Sequence, residues 1–261
     1  GPLLMRLFTK IAVTMAAVVL IGTAASATAI AFIFVPQYLE MDRATALANT
    51  ERAYEYLRTE LEAVTSSTRD WGNWDDTFVF AKDLNKAYIK SNLKPEDLEN
   101  LNIDGYTLAG VDRKIRYQVA TDQSAGAAPV PFAGLSEIPS QHWHSFKFGD
   151  GRESYAGYAD TAAGPAIVAA VAITDSNAKG PSPGVLFFSR LMNADFLKTA
   201  REKTRVEFVL VAAGKTTSGD GRMVPLSASN NVPVAVTQGD DKVDTAIALS
   251  DVSGAPSFTL K

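Results

Sequence analysis

Residues 38–70 read YLEMDRATALANTERAYEYLRTELEAVTSSTRD, thirty-three positions without glycine or proline and rich in Ala, Glu, Arg and Leu. That composition predicts one long helix, residues 37–70. Leu47, Tyr54 and Leu61 recur every seven residues, and Leu57 and Val64 fall at the intervening d positions. Thr50 and Thr68 weaken the ends of this seam. One reading packs the stripe on the chain's own domain. The other carries a parallel homodimer along the helix, with Leu47, Tyr54, Leu57, Leu61 and Val64 at its interface. Two heptads leave both open.

Toward the N-terminus, residues 11–35 hold no charged side chain. At about 1.5 Å per residue this run covers roughly 37 Å, enough to cross a hydrocarbon core of about 30 Å with some tilt. Arg6 and Lys10 precede the run, and Glu40 and Asp42 follow it. The positive-inside rule then puts the N-terminus in the cytoplasm and everything from Gln37 onward outside. Gly22, Ala24, Ala25, Ser26 and Ala27 make the middle of the span small-surfaced. Pro36 is expected to end or kink it. Ala25-Ser26-Ala27 would also serve a cleaved signal peptide, but Ile30, Phe32, Ile33, Phe34 and Val35 extend the apolar run past that point. Such an extension suits a span and not a leader. Gly1 and Pro2 read as a scar left by a tag protease, so residues 1–4 are set aside, and 5–36 form a cytoplasmic stub and membrane helix.

The 261 residues are 46% hydrophobic and 21% charged, with a net charge of −4. This is ordinary for a folded protein and lacks the basic excess that nucleic-acid binding needs. Cysteine is absent, which excludes disulfides, thiolate chemistry and Cys-ligated zinc.

Toward the C-terminus the texture changes after Asp83. Residues 84–101 read as short helical pieces, with Pro95 suited to a first turn. Residues 106–111 and 115–120 read as a hairpin closed around Asp112-Arg113-Lys114. Residues 121–131 read as a surface loop. Further strands are expected at 143–148, 153–159, 166–174 and 185–191. Asn193 should cap a helix reaching about Lys203. Strands at 206–213, 242–248 and 257–261 complete the list. Long helix, short helices and antiparallel strands make an α+β chain, and no βαβ alternation supports a Rossmann or barrel enzyme. The order fits a PAS-like or Cache-like sensor domain over 71–261. The chain stops inside an apparent strand and reads as cut before a second membrane span.

Few motifs suggest chemistry. Gly214-Lys215-Thr216 resembles the end of a phosphate loop, but Val209 stands where the first glycine is required. His142-Trp143-His144 would point two imidazoles the same way on a strand, yet a third metal ligand is missing nearby. No nucleophile elbow occurs. Neither a metal nor a cofactor is called for, and the chain is not expected to be an enzyme.

The informative block is Asp70-Trp71-Gly72-Asn73-Trp74-Asp75-Asp76-Thr77-Phe78, which holds two of the three tryptophans. On a continuing helix, Trp71, Trp74, Asp75 and Phe78 share one face. A carboxylate on an aromatic face needs a partner, either a protein group or a ligand. Gly72 allows close approach of a backbone or a small molecule. In the structural reading the tryptophans anchor the helix on the sheet. In the ligand reading, Trp71, Trp74, Asp75 and Phe78 border a pocket for a cationic or amine-bearing molecule, and Asp76 caps locally.

That block, followed by Tyr88-Ile89 and Asn92-Leu93, resembles the fourth CHASE family, the cyclase- and histidine-kinase-associated sensory extracellular domains. The run from Gly164-Pro165 to Val171, then Ile173-Thr174-Asp175, Gly180-Pro181-Ser182-Pro183-Gly184 and Ser189-Arg190, is similar to the family's second block. Asp251-Val252, Gly254 and Pro256 resemble its exit toward the membrane. Two positions depart from the pattern. Gly72 stands where Ala is more usual, and Val171-Ala172 stand where a basic residue and Pro precede the Ile. The resemblance implies the periplasmic sensor region of a bacterial inner-membrane signalling protein. Its cytoplasmic output would be a diguanylate cyclase, a cyclic-di-GMP phosphodiesterase or a histidine kinase. The expected partner is a small molecule or a periplasmic protein, with Arg190 added to the candidate ligand residues. The alternatives are a membrane-anchored enzyme using Asp75 and Asp76 as an acid/base pair, and a structural or adhesive ectodomain. Adjacent helical residues point about 100° apart, which is poor geometry for flanking one bond.

Overall fold

The computed structural model describes residues 2–121, 129–130, 154–161, 163–177, 181–212, 221–239 and 243–261. Helix α1 (Pro2–Ala29), a π-helical segment (Ile30–Phe34) and α2 (Val35–Gly72) follow one another without a break. Among the described residues one helix is long and apolar enough to cross a membrane, and it runs unbroken from Leu4 to Gly72. Pro36 therefore does not end the helix. A proline has no N–H to offer the carbonyl one turn back, and its ring crowds that carbonyl. The wider π turn just before it absorbs both effects, with the Val35 N–H donating to the Ile30 carbonyl.

The α2 stripe is used inside the chain. Thr50, Ala53, Leu57, Val64, Thr68 and Gly72 are its buried residues. Leu57 is 0% and Val64 3% exposed within a single chain, so neither is available to a dimer seam. Leu47, Tyr54 and Leu61 are half-buried against the same core. The correction has a plain cause. Apolar side chains at helical spacing bury against whatever apolar surface is nearest, and here that surface is the chain's own sheet.

The strands form two antiparallel sheets, a division that the order of strands alone does not reveal. In the first, the strand order is β3-β2-β1-β6-β5-β4. Its strands are β1 (Gly105–Gly110), β2 (Ile115–Thr121), β3 (Pro129–Val130), β4 (Ser154–Thr161), β5 (Gly164–Ala172) and β6 (Gly184–Leu191). The second runs β7-β11-β10-β9-β8. It comprises β7 (Leu210–Ala212), β8 (Arg222–Pro225), β9 (Pro233–Gln238), β10 (Val243–Ser250) and β11 (Pro256–Leu260). The expected hairpin, β4 through β6 and the last two strands are present. Of residues 206–212 only Leu210–Ala212 form a strand, which Val209 extends by exchanging backbone hydrogen bonds with Lys261. The strand expected at 143–148 lies outside the described residues. β8 and β9 were not anticipated: each carries a proline at one end, and β8 is only four residues long.

Between the sheets, α6 (Ala194–Thr204) is capped by Asn193, whose side chain accepts from the Phe196 N–H at 2.9 Å. Before the first sheet come α3 (Asp75–Asp83), α4 (Lys86–Asn92) and α5 (Pro95–Asn100).

β5 is apolar on both faces, so the first sheet buries both. Tyr106, Leu108, Ile167, Val171, Leu186 and Phe188 join the main core with α2, α3 and α4. Ala109, Ala159, Ala166, Val168, Ala170, Val185 and Phe187 form a second, smaller cluster on the opposite face.

Polar ties hold α2 to both sheets. Thr50 meets Thr245, the Ser227 hydroxyl donates to Glu51 at 2.6 Å, and the Asn230 amide donates to Glu55 at 3.1 Å. Farther along, Arg190 pairs with Glu60, and Arg69 donates to the Ser154 hydroxyl at 2.9 Å. The second sheet therefore stands nearer the apolar run, and the first sheet farther along the helix.

Candidate functional site

The long helix ends where β5 crosses it. The Gly72 carbonyl accepts the Thr174 N–H at 2.9 Å, and Thr174 Oγ1 lies 2.9 Å from Asn73 Oδ1. A Cβ at Gly72 would stand 2.2 Å from Val171 Cγ1, so only glycine fits without displacement. Gly72 and Val171 thus touch each other where the helix meets the sheet.

This ending corrects the expected continuous face. Trp74 is extended, with φ −92° and ψ 133°, and α3 starts afresh at Asp75. Trp71, Trp74, Asp75 and Phe78 consequently do not form one helical stripe. The break turns Trp74 edge-on to Trp71, with ring centroids 5.8 Å apart.

A chain of rings then runs across the sheet. Trp71 packs on Phe188 at 5.7 Å and on Tyr106 at 6.4 Å. Trp74 lies 6.2 Å from Tyr88, which stacks on Phe80 at 4.4 Å. Tyr117 closes the group against Phe80 and Tyr106. Trp74 is 39% exposed and forms the open end, whereas Tyr106 is 0% exposed. The Thr77 and Tyr88 hydroxyls are bonded at 2.7 Å. The Tyr106 hydroxyl is buried, makes no well-formed hydrogen bond among the described residues, and interacts with the Tyr88 hydroxyl beside it. Burial, with Tyr88 and Tyr117 adding to it, pushes that hydroxyl well above the ordinary phenol range. Burial also raises Tyr88, its interactions with the Thr77 and Tyr106 hydroxyls oppose this, and the Asp76 charge raises it further.

The predicted site residues divide. Trp71 and Trp74 lie in the cluster. Asp75 is committed to the protein, its two oxygens accepting the Ser176 N–H at 2.8 Å and the Ser176 hydroxyl at 3.0 Å. Asp76 has no side-chain hydrogen bond among the described residues, and the N-cap position of α3 is Trp74, without a side-chain cap. Asp76 therefore does not cap as expected, though its charge suits the helix start. The ring of Phe78 already carries a cation, with Lys82 Nζ 3.7 Å from its centroid. Arg190 sits elsewhere, paired with Glu60 and 5.0 Å from the Phe196 ring. Beside it, Asp104 is buried and accepts the Leu191 N–H at 2.7 Å. Burial pushes its carboxyl up to about 6 against the lowering effects of that bond and of Arg190.

Reading the sequence missed Tyr88, Tyr106, Phe188 and Thr77 as members of the cluster. Tyr88 and Thr77 lay within the quoted blocks. Tyr106 and Phe188 gave no local signal, because a strand aromatic reads the same on either face. Among the described residues no group of His, Asp and Glu could hold a metal. His142, His144 and the Gly214-Lys215-Thr216 segment lie outside the described residues. An open groove of about 1260 Å³ also lies along the second sheet, lined in part by Ala46, Thr50, Met223, Ala235 and Ala246.

Comparison with known proteins agrees with this architecture. The CHASE4 domain family matches residues 56–211. The methanogenesis regulatory histidine kinase FilI of Methanothrix harundinacea (strain 6Ac) is 22% identical over 209 residues, covering 79% of this chain and 23% of that protein. The chain thus spans about a quarter of the length of this curated relative. The extracellular domain of vpHK1S-Z8, a candidate histidine kinase, superposes with a TM-score of 0.57 at 10% identity, covering 86% of this chain and 92% of that one. A domain of a candidate sensory box/GGDEF family protein from Vibrio parahaemolyticus gives 0.55 at 10% identity, covering 85% and 95%. These two likenesses show a shared fold, and the family match spans more than half of the chain: it belongs to the CHASE4 family of sensory domains.

Proposed function

We propose that residues from Gln37 onward form the extracytoplasmic ligand-sensing region of a bacterial inner-membrane signal transducer, with catalysis left to a cytoplasmic output module. The likeness to FilI supports a histidine kinase as that module. The ligand site is the solvent-facing end of the aromatic cluster, bordered by Trp74, Tyr88 and Asp76. The observation that carries this is the Tyr106 hydroxyl, buried with no well-formed hydrogen bond, in an aromatic cluster whose outer tryptophan, Trp74, is open to solvent. An unmade buried hydrogen bond costs about 1–3 kcal/mol, a cost that a ligand reaching it would remove. Asp76 is the carboxylate with bonding capacity to spare, so a cationic or amine-bearing ligand suits the site. A ligand that binds two states of the domain unequally would then shift α2 between them.

Thermal denaturation of the full chain in detergent, against a panel of amino acids, biogenic amines and polyamines, tests this. A hit should raise Tm, and Trp74→Ala and Asp76→Asn should each abolish the rise. A rise that survives both substitutions would place the ligand elsewhere.

A further inference from the structure

The turn joining β10 to β11 belongs to the second sheet but is built into the first. Gly157 lies in the middle of β4, opposite Val168 of β5. A Cβ at Gly157 would stand 2.3 Å from the Asp251 carbonyl carbon and 2.5 Å from the Val252 nitrogen. The turn backbone therefore rests directly on the strand. Val252, 9% exposed, enters the smaller apolar cluster with Ala109, Ala159, Ala166, Val168, Ala170, Val185 and Phe187. Among the described residues it is the one buried member of that cluster from outside the first sheet. Four alanines make the surface low enough to accept it, which accounts for the small residues on one side of β5.

The turn is also stiff. Asp251 Oδ1 accepts the Ser253 N–H at 2.8 Å, the Ser253 hydroxyl at 2.6 Å and the Ala255 N–H at 3.0 Å. The Asp251 N–H donates to the Ala255 carbonyl at 2.8 Å, and Gly254 supplies the positive φ of 86°. A rigid turn seated on one sheet and covalently continuous with two central strands of another transmits displacement without absorbing it. α2 covers the opposite face of the first sheet, so its contacts are separate from these.

We propose that the turn of residues 251–255 is a mechanical link between the sheets, coupling the back face of β4 and β5 to β10 and β11 independently of α2. This goes beyond the ligand reading and stands whether or not the first sheet binds a small molecule. By reciprocity, any event that stabilises β4 and β5 against the turn stabilises β11 as well.

Hydrogen exchange on the full chain in detergent micelles tests the link. Val252→Ala, and independently Gly157→Ala, should lower amide protection in both β4–β5 and β10–β11, by about tenfold. Leu108→Ala, on the α2-facing side of the first sheet, should loosen β1, β2 and β6 while leaving β10–β11 within about twofold. If Gly157→Ala does not fold, Val252→Ala still reads the coupling from the other side. Unchanged protection of β4–β5 in Val252→Ala would overturn the proposal. So would an equal loss in β10–β11 caused by Leu108→Ala, since the sheets would then open together for any cause.

Discussion

The two sheets of this chain are built from similar strands and put to different uses. The first is covered on both faces, carries the aromatic cluster and is flanked at the start of β1 by Asp104, the one carboxylate among the buried residues described. The second buries Val234, Val236, Ile247, Leu249, Phe258 and Leu260 on one face. Its other face shows Met223, Pro233, Thr237, Asp244 and Ala248 exposed. A strand buried on both sides is apolar without interruption, as in β5, whereas one-sided burial leaves alternation, as in β9 and β10. The contrast teaches where chemistry can be hidden. Among the described residues it is the doubly covered sheet that keeps a poorly bonded tyrosine hydroxyl, and beside it a carboxyl pushed up to about 6, away from water.

The largest test of this contrast is truncation of matched side chains. Phe188→Ala should cost about 3–5 kcal/mol, and Met223→Ala on the bare face less than about 0.5 kcal/mol, read from urea unfolding curves. Comparable losses would mean that the second sheet's outer face is covered in the folded protein.

Next comes the response to pH. The folded carboxyl of Asp104 lies at about 6, above its ordinary value, so the folded state holds this proton more tightly than the unfolded chain. Its contribution is full below about pH 4 and is lost as pH rises through about 6, a fall on the order of 3 kcal/mol. Asp104→Asn should flatten that limb of the Tm-against-pH curve. A curve unchanged by the substitution would show that the carboxyl is hydrated.

A smaller effect is expected where the helix meets β5. Gly72→Ala should cost about 1–3 kcal/mol through the clash with Val171. In Gly72→Ala/Val171→Ala the combined loss should fall short of the sum of the single ones, because the second change makes room for the first. Strict additivity would mean that the glycine serves its backbone and not its neighbour.

The mildest change is Asp75→Ala, which removes both bonds to Ser176 from an exposed position and should cost about 1 kcal/mol. The ligand-dependent rise in Tm should persist in this variant. Loss of that rise, with basal stability unchanged, would return Asp75 to the ligand site in place of Asp76.

Much of the chain was legible without coordinates. The long helix follows from an absence of breakers, the membrane run from an absence of charge, and most strands of the first sheet from local apolar patterning. Asn193, Pro95 and the turn at Asp112-Arg113-Lys114 were readable because caps and turns are decided within four residues. The tryptophan–aspartate block named Trp71 and Trp74 of the aromatic cluster, but not Tyr106 and Phe188, which lie on distant strands.

Tertiary structure decided whatever depends on a distant partner. The Leu57 and Val64 stripe could have faced a second copy or its own sheet, and only the position of β5 chose. Position 72 takes glycine because Val171, ninety-nine residues later, occupies the space that a side chain would need. The split into two sheets, the seating of Val252 behind β4 and the burial of the Tyr106 hydroxyl have the same origin. Helical periodicity, capping and hydropathy are properties of neighbouring residues, so the sequence states them directly. Strand pairing, burial on a particular face and the space around a side chain are set by segments far apart in the chain, and they exist only once those segments have packed.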